Sequence, residues 1–359
     1  MKKLTKIPGA VLSDGLAWYD PQNQPDLMFG LNWFGRERLY RRLPKNGPEP
    51  LPEAVDRLAW HTAGAQLRFL SDSRSLTVRV RLAGPPSMVH MPATGQCGFD
   101  CYLDEGQGLF YYSTTKYPSQ DVAQTVKLFQ LPDARLRQIV VHFPLYQGVE
   151  QVAIGIDPDA TVFEPWPFAA DRRIVFYGTS ITQGGCASRP GMCATNLIST
   201  ALNMPCVNLG FSGSGRGEPV MARLIASMDN LALIVLDYEP NAGFDGLRQT
   251  LPAFLDILRQ AHPDLPILVL SKPRYAQEHV EPALRRIRLA GAAFQRGLVQ
   301  ERQGQGDRQL HFVNGARLLG RDFDLCSVDG VHPNDLGFWR MARVLTPVIR
   351  RILAGGEAS

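Results

Sequence analysis

The chain has 359 residues, of which 45% are hydrophobic, and its 38 basic and 34 acidic residues give a formal net charge of +4. A chain of this length can bury more than one core, so two domains are expected. The charges are spread along the chain without a long basic run, and no apolar run reaches the roughly 20 residues that span a bilayer. We therefore expect neither nucleic acid nor a membrane as a partner.

The N-terminus and the cysteines indicate the cellular compartment. The chain begins with basic residues, but Pro8, Ser13 and Asp14 interrupt the apolar core that a signal peptide needs, which predicts a cytoplasmic protein. The six cysteines form neither a disulfide framework nor a metal-binding spacing, so buried thiols are expected.

The first half of the chain has the pattern of an all-β domain. Residues 76–82 alternate apolar with polar, which predicts a strand with Thr77, Arg79 and Arg81 facing solvent. Further strands are predicted at 97–103, 109–113, 122–129, 137–143 and 151–156. Short strands separated by turn residues predict a β-sandwich or jelly roll. A proline-containing linker is predicted over 157–171, dividing the chain into a β-domain (1–168) and a second domain (169–359).

The second half alternates strands with helices. Strands are predicted at 174–177, 207–209, 233–236, 267–270 and 310–313. Helices are predicted at 194–202, 219–228, 247–261, 281–302 and 333–353, with Pro333 in the first turn of the last helix. This alternation predicts an α/β domain in which a five-stranded parallel sheet is covered on both faces.

A serine follows the first strand of this sheet. Gly178 permits a sharp turn, and Ser180 comes directly after it, at the strand end where open α/β sheets bind ligands. Thr182 stands where the second glycine of the G-x-S-x-G elbow belongs, so that motif is absent. From this stretch alone, Ser180 is either a nucleophile or part of a helix cap.

A possible partner for the serine lies far downstream. Asp329 and His332 are three residues apart before the last predicted helix, a spacing that can bring a carboxylate against one imidazole nitrogen and leave the other accessible. The alternative is that Asp329 caps the helix and His332 is an ordinary loop residue.

Two further stretches follow the second and third strands. Residues 208–215 are rich in glycine, which allows a backbone N–H to point into a cleft, and they match no phosphate-binding motif. Asn241 follows the third strand, where its side-chain amide is either a further hydrogen-bond donor or part of a turn.

Taken in order, these four stretches resemble the four sequence blocks of the SGNH (GDSL-type) hydrolase superfamily. The resemblance implies a flavodoxin-like αβα sandwich, with Ser180 as nucleophile, His332 as general base and acid, and Asp329 as the carboxylate that orients His332. It implies an oxyanion hole made of the Ser180 and Gly213 backbone amides and the Asn241 side chain. Residues 98–102, Gly-Phe-Asp-Cys-Tyr, resemble the G-x-D-L-Y motif of one branch, with cysteine in place of leucine.

The resemblance implies a serine esterase that cleaves a small ester, and an O-acyl group on a carbohydrate is the expected substrate. Transfer of the acyl group to an alcohol, or glycan binding with weak esterase activity, are the alternatives. No metal or organic cofactor is implied, and no oligomeric state is predicted. Candidates for substrate contact, with surface solvation as the alternative, are Arg189, Arg216 and Glu218.

Three other polar residues carry expectations of their own. Asp100 and Tyr102 lie two apart on a predicted strand and so share one face, where they either reach the active-site rim or a sugar, or form a hydrogen-bonded structural pair. Asp237 ends an apolar strand, so we expect its carboxylate to be hydrogen-bonded.

Overall fold

The computed structural model describes residues 4–116 and 120–356, which form two compact units. The first unit contains residues up to 46, 59–168 and 188–191. The second contains 47–58, 169–187 and 192 onward. The main passage from the first unit to the second lies at residues 168 and 169. Two short segments belong to a different unit from their sequence neighbours, 47–58 to the second unit and 188–191 to the first.

The first unit consists of antiparallel strands in two sheets. One sheet has the order β1-β2-β10-β5-β8, and the other has the order β11-β4-β9-β6-β7, with β3 paired to β4. The strands are β1 (Val11–Ser13), β2 (Leu16–Tyr19), β3 (Met28–Phe29), β4 (Gln66–Ser71), β5 (Ser75–Leu82), β6 (Asp100–Asp104), β7 (Phe110–Thr114), β8 (Ala123–Gln130), β9 (Arg137–His142), β10 (Val149–Ile156) and β11 (Val162–Phe163).

Side chains from both sheets share one hydrophobic core, which confirms the predicted β-sandwich. In β5, Leu76, Val78 and Val80 are buried in this core, as the alternating pattern predicts, and Arg79 and Arg81 are exposed. Thr77 is buried, so its predicted exposure is wrong. It lies mid-sheet between Gly155 of β10 and Lys127 of β8, where neighbouring strands cover it.

Other elements of the first unit differ from the sequence prediction. The strand predicted over 97–103 begins at Asp100, because the chain before it forms the short helix α3 (Ala93–Gln96). Part of the predicted linker forms β11, which pairs with β4. Two further short helices occur in the described chain, α1 (Phe34–Glu37) in the first unit and α2 (Glu53–Leu58) in the second.

The second unit contains a parallel five-stranded sheet with the order β13-β12-β14-β15-β16, the flavodoxin-like arrangement. The strands are β12 (Arg173–Gly178), β13 (Cys206–Gly210), β14 (Leu231–Asp237), β15 (Ile267–Leu270) and β16 (Leu310–Val313). All are rich in buried apolar residues, as expected for strands covered on both faces. The prediction of an αβα sandwich is confirmed.

Helices cover the two faces of this sheet in two groups, α5 with α9 and α6 with α7 and α8. The helices of this unit are α4 (Ser180–Gln183), α5 (Ala194–Leu202), α6 (Pro219–Ala226), α7 (Glu239–Ala261), α8 (Pro282–Gly304) and α9 (Asp335–Leu353). Short 3-10 helices lie at Pro21–Asn23, Pro25–Leu27, Pro190–Met192, Ala276–His279, Gly315–Arg317 and Phe323–Cys326. None of the helices in the described ranges is both long and apolar enough to cross a bilayer.

Two helix starts differ from the prediction, and both bear on the site. Helix α9 begins at Asp335 after the N-cap Asn334, so Pro333 lies before the helix, where it bridges to Ser327. Helix α7 begins at Glu239, directly after β14, with Gly243 (φ 66°) interrupting its first turns. Asn241 therefore lies in a helical turn and not in a loop.

Candidate active site

The turn after β12 places Ser180 at the carboxyl edge of the parallel sheet. A Cβ on Gly178 would overlap Thr182 Oγ1 and the Asp237 carbonyl, so only glycine fits at this position in the turn. Thr179 is the N-cap of α4, because its hydroxyl accepts a hydrogen bond from the Ile181 backbone N–H at 3.3 Å. Capping is thus done by Thr179, which leaves the hydroxyl of Ser180 for another partner.

That partner is His332. Ser180 Oγ lies 2.9 Å from Nε2 of His332, and Nδ1 of the same ring lies 2.7 Å from Oδ2 of Asp329. The other oxygen of Asp329 accepts hydrogen bonds from the backbone N–H groups of Val331 (3.0 Å) and His332 (2.7 Å). The structure therefore brings together the three residues that the sequence proposed as a triad.

The electrostatics suit a serine-based reaction. Partial burial acts to raise the pKa of Asp329, but hydrogen bonds from the His332 ring and from two backbone N–H groups outweigh it and lower that pKa to about 2. Asp329 is thus ionised and accepts a hydrogen bond from the Nδ1–H group of His332. In this tautomer Nε2 carries a lone pair and can take the proton of the Ser180 hydroxyl.

The glycine-rich loop after β13 is tied to α4, the helix that begins with Ser180. Asn208 Nδ2 donates to the Thr182 carbonyl at 2.7 Å, and Asn208 Oδ1 accepts from the Gly210 N–H at 3.0 Å. Gln183 Oε1 accepts from the Ser212 N–H at 3.0 Å. Gly213, the predicted oxyanion donor, has a φ of 64°, a conformation that favours glycine. The loop that carries Gly213 is therefore held against the helix that begins with Ser180.

Asn241 contacts the same loop. Its Nδ2 atom donates to the carbonyls of Phe211, at 3.1 Å, and of Ser214. Both protons of the amide are used in these bonds, so Asn241 fixes the two ends of the loop around Gly213. Donation from Asn241 to an oxyanion stays a prediction, and it requires one of these bonds to be shared or given up.

Arg216 and Glu218, predicted to contact substrate, are connected to the loop as well. Arg216 Nη2 donates to the Gly213 carbonyl at 3.1 Å. Glu218 accepts from the Arg216 backbone N–H at 3.0 Å and from the hydroxyl of Tyr177, and that hydroxyl accepts from the Gly217 N–H at 2.9 Å. These contacts give both residues a structural role in the loop, and their contact with substrate stays a prediction.

Asp237 is hydrogen-bonded, as expected from its position at the end of β14. Its Oδ2 accepts from the hydroxyl of Thr182 at 2.9 Å, which ties the strand to α4. Burial, together with the neighbouring charge of Glu239, raises the pKa of Asp237 to about 7 even though the Thr182 hydrogen bond acts to lower it.

Arg189 is held within the first unit. Its Nη1 donates to Asp100 Oδ2 at 2.9 Å and to the hydroxyl of Tyr102. Of the alternatives for Asp100 and Tyr102, these contacts favour the hydrogen-bonded pair, with Arg189 as the shared partner. The proposed contact between Arg189 and substrate stays a prediction.

All six cysteines are buried and none forms a disulfide, as predicted. Cys186 follows α4, and its Sγ atom lies within 4.8 Å of a ring nitrogen of His332. Burial, reinforced by the charge of Asp329, raises the pKa of the Cys186 thiol to about 12, so this side chain is a neutral neighbour of the site.

The sequence reasoning missed the residues that hold the site together. Helix α4, the glycine-rich loop and the end of β14 are connected by Thr182, Gln183 and Asn208. The one available signal was their position two or three residues from a predicted site residue or at a strand end. Such spacing also fits ordinary helix and turn residues, so it did not separate them from surface positions.

Comparison with known protein families gives two matches. Residues 171–350 match the GDSL-like lipase/acylhydrolase family, and residues 16–162 match the N-terminal domain, named GxDLY, of SGNH-hydrolase-type esterases. No curated protein matches the chain.

Solved structures resemble the whole chain. A candidate GDSL-like lipase from Bacteroides ovatus ATCC 8483 is 26% identical, with a TM-score of 0.86 over 94% of this chain and 98% of that one. The salicylyl-acyltransferase SsfX3 of a tetracycline biosynthetic pathway is 20% identical, with a TM-score of 0.68 over 98% and 94%. A family two carbohydrate esterase from Clostridium thermocellum, solved with cellohexaose, is 17% identical, with a TM-score of 0.56 over 81% and 93%.

The last two likenesses concern the fold alone, whereas the family match spans the parallel sheet, α4 and the segment with Asp329 and His332. The chain therefore belongs to the GDSL-like lipase/acylhydrolase family and is a serine esterase of the SGNH type.

Proposed function

We propose that Ser180, His332 and Asp329 form the catalytic triad and that the protein removes a small O-acyl group, such as acetyl, from a carbohydrate. The observation that carries this proposal is the continuous hydrogen-bonded chain from Ser180 Oγ through the His332 ring to Asp329, with links of 2.9 and 2.7 Å. The carbohydrate substrate is supported by the fold shared with carbohydrate esterases, one of them solved with cellohexaose.

The reaction follows from the triad in two halves. His332 Nε2 takes the Ser180 proton as Oγ attacks the ester carbonyl, and the same proton passes to the departing alcohol, leaving an acyl group on Ser180. Water then attacks this acyl-enzyme, His332 again takes and returns the proton, and a carboxylic acid leaves. The oxyanion formed in each half is proposed to be bound by the backbone amides of Ser180 and Gly213 and by the Asn241 side chain.

The test is a substrate screen with a matched inactive variant. Purified protein would be assayed on aryl esters of graded acyl length and on acetylated mono- and oligosaccharides, beside Ser180→Ala. We expect acetylated sugars to be turned over, and Ser180→Ala to lose several orders of magnitude in kcat with its circular dichroism unchanged. A serine-reactive phosphonate should label Ser180. Labelling of another serine, or near wild-type rates in Ser180→Ala, would refute the assignment.

The fate of the acyl group distinguishes hydrolysis from transfer. With an acyl donor and a range of added alcohols, a hydrolase releases mainly free acid, whereas a transferase forms the new ester at the expense of the acid. Mass spectrometry of the products gives this ratio. A ratio that strongly favours ester formation with one alcohol would replace the hydrolase proposal with acyl transfer.

A further inference from the structure

We propose that Asp100 and Tyr102 of the G-x-D-L-Y motif are positioning residues for the esterase site, acting through Arg189. Residues 100–102 of the motif lie on β6 of the first unit, and the side chains of Asp100 and Tyr102 bind the segment 188–191. That segment continues directly from the residues that follow the nucleophile. This inference rests on the proposed function, because it concerns the same triad.

The segment is held at each of its ends and in its middle. The hydroxyl of Thr94 donates to the Ser188 carbonyl at 2.6 Å, and the Gly191 N–H donates to Asp100 Oδ2 at 2.8 Å. The Arg189 guanidinium binds the same Asp100 oxygen at 2.9 Å and also the Tyr102 hydroxyl. A Cβ on Gly191 would overlap that hydroxyl, so residue 191 must be glycine for this arrangement.

The partners of Arg189 are themselves rigidly placed. Asp100 is 0% exposed, and Tyr102, two residues along the same strand, faces the same side. Tyr111, opposite Tyr102 on β7, places its ring centre 3.8 Å from the guanidinium carbon of Arg189. An ion pair, a hydroxyl and an aromatic face thus fix the direction of one arginine, which is more than an exposed loop residue needs for solubility.

The residues just before this segment lie beside the triad. The N–H groups of Gly184 and Gly185 donate to the Ser180 carbonyl at 3.0 and 2.8 Å, and Cys186 has a left-handed φ of 76°. Cys186 Sγ lies within 4.8 Å of a His332 ring nitrogen. From Ser188 onward the chain is held by contacts within the first unit, and residues 184–187 connect that segment along the chain to the helix that begins with Ser180.

The experiment compares kcat, KM and melting temperature of the full chain on an ester that the wild type turns over. Asp100→Asn keeps the shape of the side chain and removes its charge, and Tyr102→Phe removes only the hydroxyl. The matched control is Asp157→Asn. It removes another largely buried carboxylate of the first unit, one that binds the Ser75 hydroxyl at 2.6 Å.

We expect Asp100→Asn to lower kcat about tenfold or more, the usual size for losing a hydrogen bond to a charged group, with KM changing less than kcat. Asp157→Asn should leave kcat unchanged even where it lowers the melting temperature. Arg189→Ala should lose activity likewise, and added guanidinium ion should restore part of kcat, a rescue that a general loss of stability would not give.

The outcomes separate this inference from the function on which it rests. Wild-type protein without Ser180-dependent ester turnover would overturn the proposed function itself. Ser180-dependent turnover with an unchanged kcat in Asp100→Asn would overturn the positioning role alone. A loss of kcat in Asp157→Asn equal to that in Asp100→Asn, or no guanidinium rescue of Arg189→Ala, would likewise assign the motif to stability only.

Discussion

Replacing Asp237 with asparagine should make the protein more stable at neutral and alkaline pH. Asp237 is 5% exposed, and its Oδ2 accepts from the Thr182 hydroxyl at 2.9 Å. Asparagine has the same shape, and its carbonyl oxygen can accept the same hydrogen bond without carrying a charge. The change thus removes a buried charge and leaves the hydrogen bond between the end of β14 and α4 in place.

The size of the effect follows from the pKa. Burial, with the nearby Glu239 charge, raises the pKa of Asp237 from 3.8 to about 7. At about 1.4 kcal/mol per pH unit, ionising Asp237 in the folded state costs on the order of 4 kcal/mol more than in the unfolded chain. Because the folded pKa is the higher one, the folded state binds the proton more tightly. The contribution of Asp237 to the free energy of unfolding is therefore fully present below the pKa that this residue has in the unfolded chain. It is lost as the pH rises through about 7, the pKa of Asp237 in the folded state.

Urea unfolding followed by circular dichroism, at about pH 5 and about pH 8, measures this. The free energy of unfolding of Asp237→Asn minus that of the wild type should grow by roughly 2 to 3 kcal/mol between the two pH values. Asp264→Asn, which removes an exposed carboxylate of the same unit, is the control and should show no such growth. An equal difference at both pH values would mean that Asp237 is not held neutral by its burial, and the reasoning would be refuted.

Three further predictions concern the site directly. Asn241→Ala removes the bonds to the Phe211 and Ser214 carbonyls, so the free energy of unfolding should fall by about 1 to 3 kcal/mol. Loss of the proposed oxyanion donor should lower kcat by about a hundred- to a thousandfold. An unchanged kcat with a lowered melting temperature would leave Asn241 a purely structural residue. Because the pKa of Asp329 is lowered to about 2, that residue stays ionised through the assay range, so the pH profile of wild-type kcat/KM should contain no ionisation step from Asp329 above about pH 4. An ionisation of Asp329 seen in the wild-type profile above about pH 4 would contradict this account. Asp329→Asn should lower kcat by about three to four orders of magnitude.

The sequence by itself determined that the first half of the chain is all-β and the second half α/β, and it determined the order of the site residues along the chain. Alternation in residues 76–82 and the apolar strands of the second half are local signals of burial, because a strand covered on one face must alternate and one covered on both faces need not. Ser180, Gly213, Asn241 and His332 each follow a strand or a loop that a local pattern reveals, and parallel strands bring such ends to one edge.

Only the tertiary structure decided which polar groups meet. Arg189 and Asp100 are 89 residues apart, Thr182 and Asp237 are 55 apart, and each pair depends on which strand ends or loops become neighbours. Asn241 shows the same limit. The sequence predicted that Asn241 follows the third strand of the sheet, but it did not predict its partners on the loop that carries Gly213. Strands β13 and β14 both pair with β12, and only this strand order brings Asn241 close to that loop. Periodicity reports how much of each residue is buried, whereas a hydrogen bond requires a particular partner at about 3 Å, and that choice is made by the packing of distant segments.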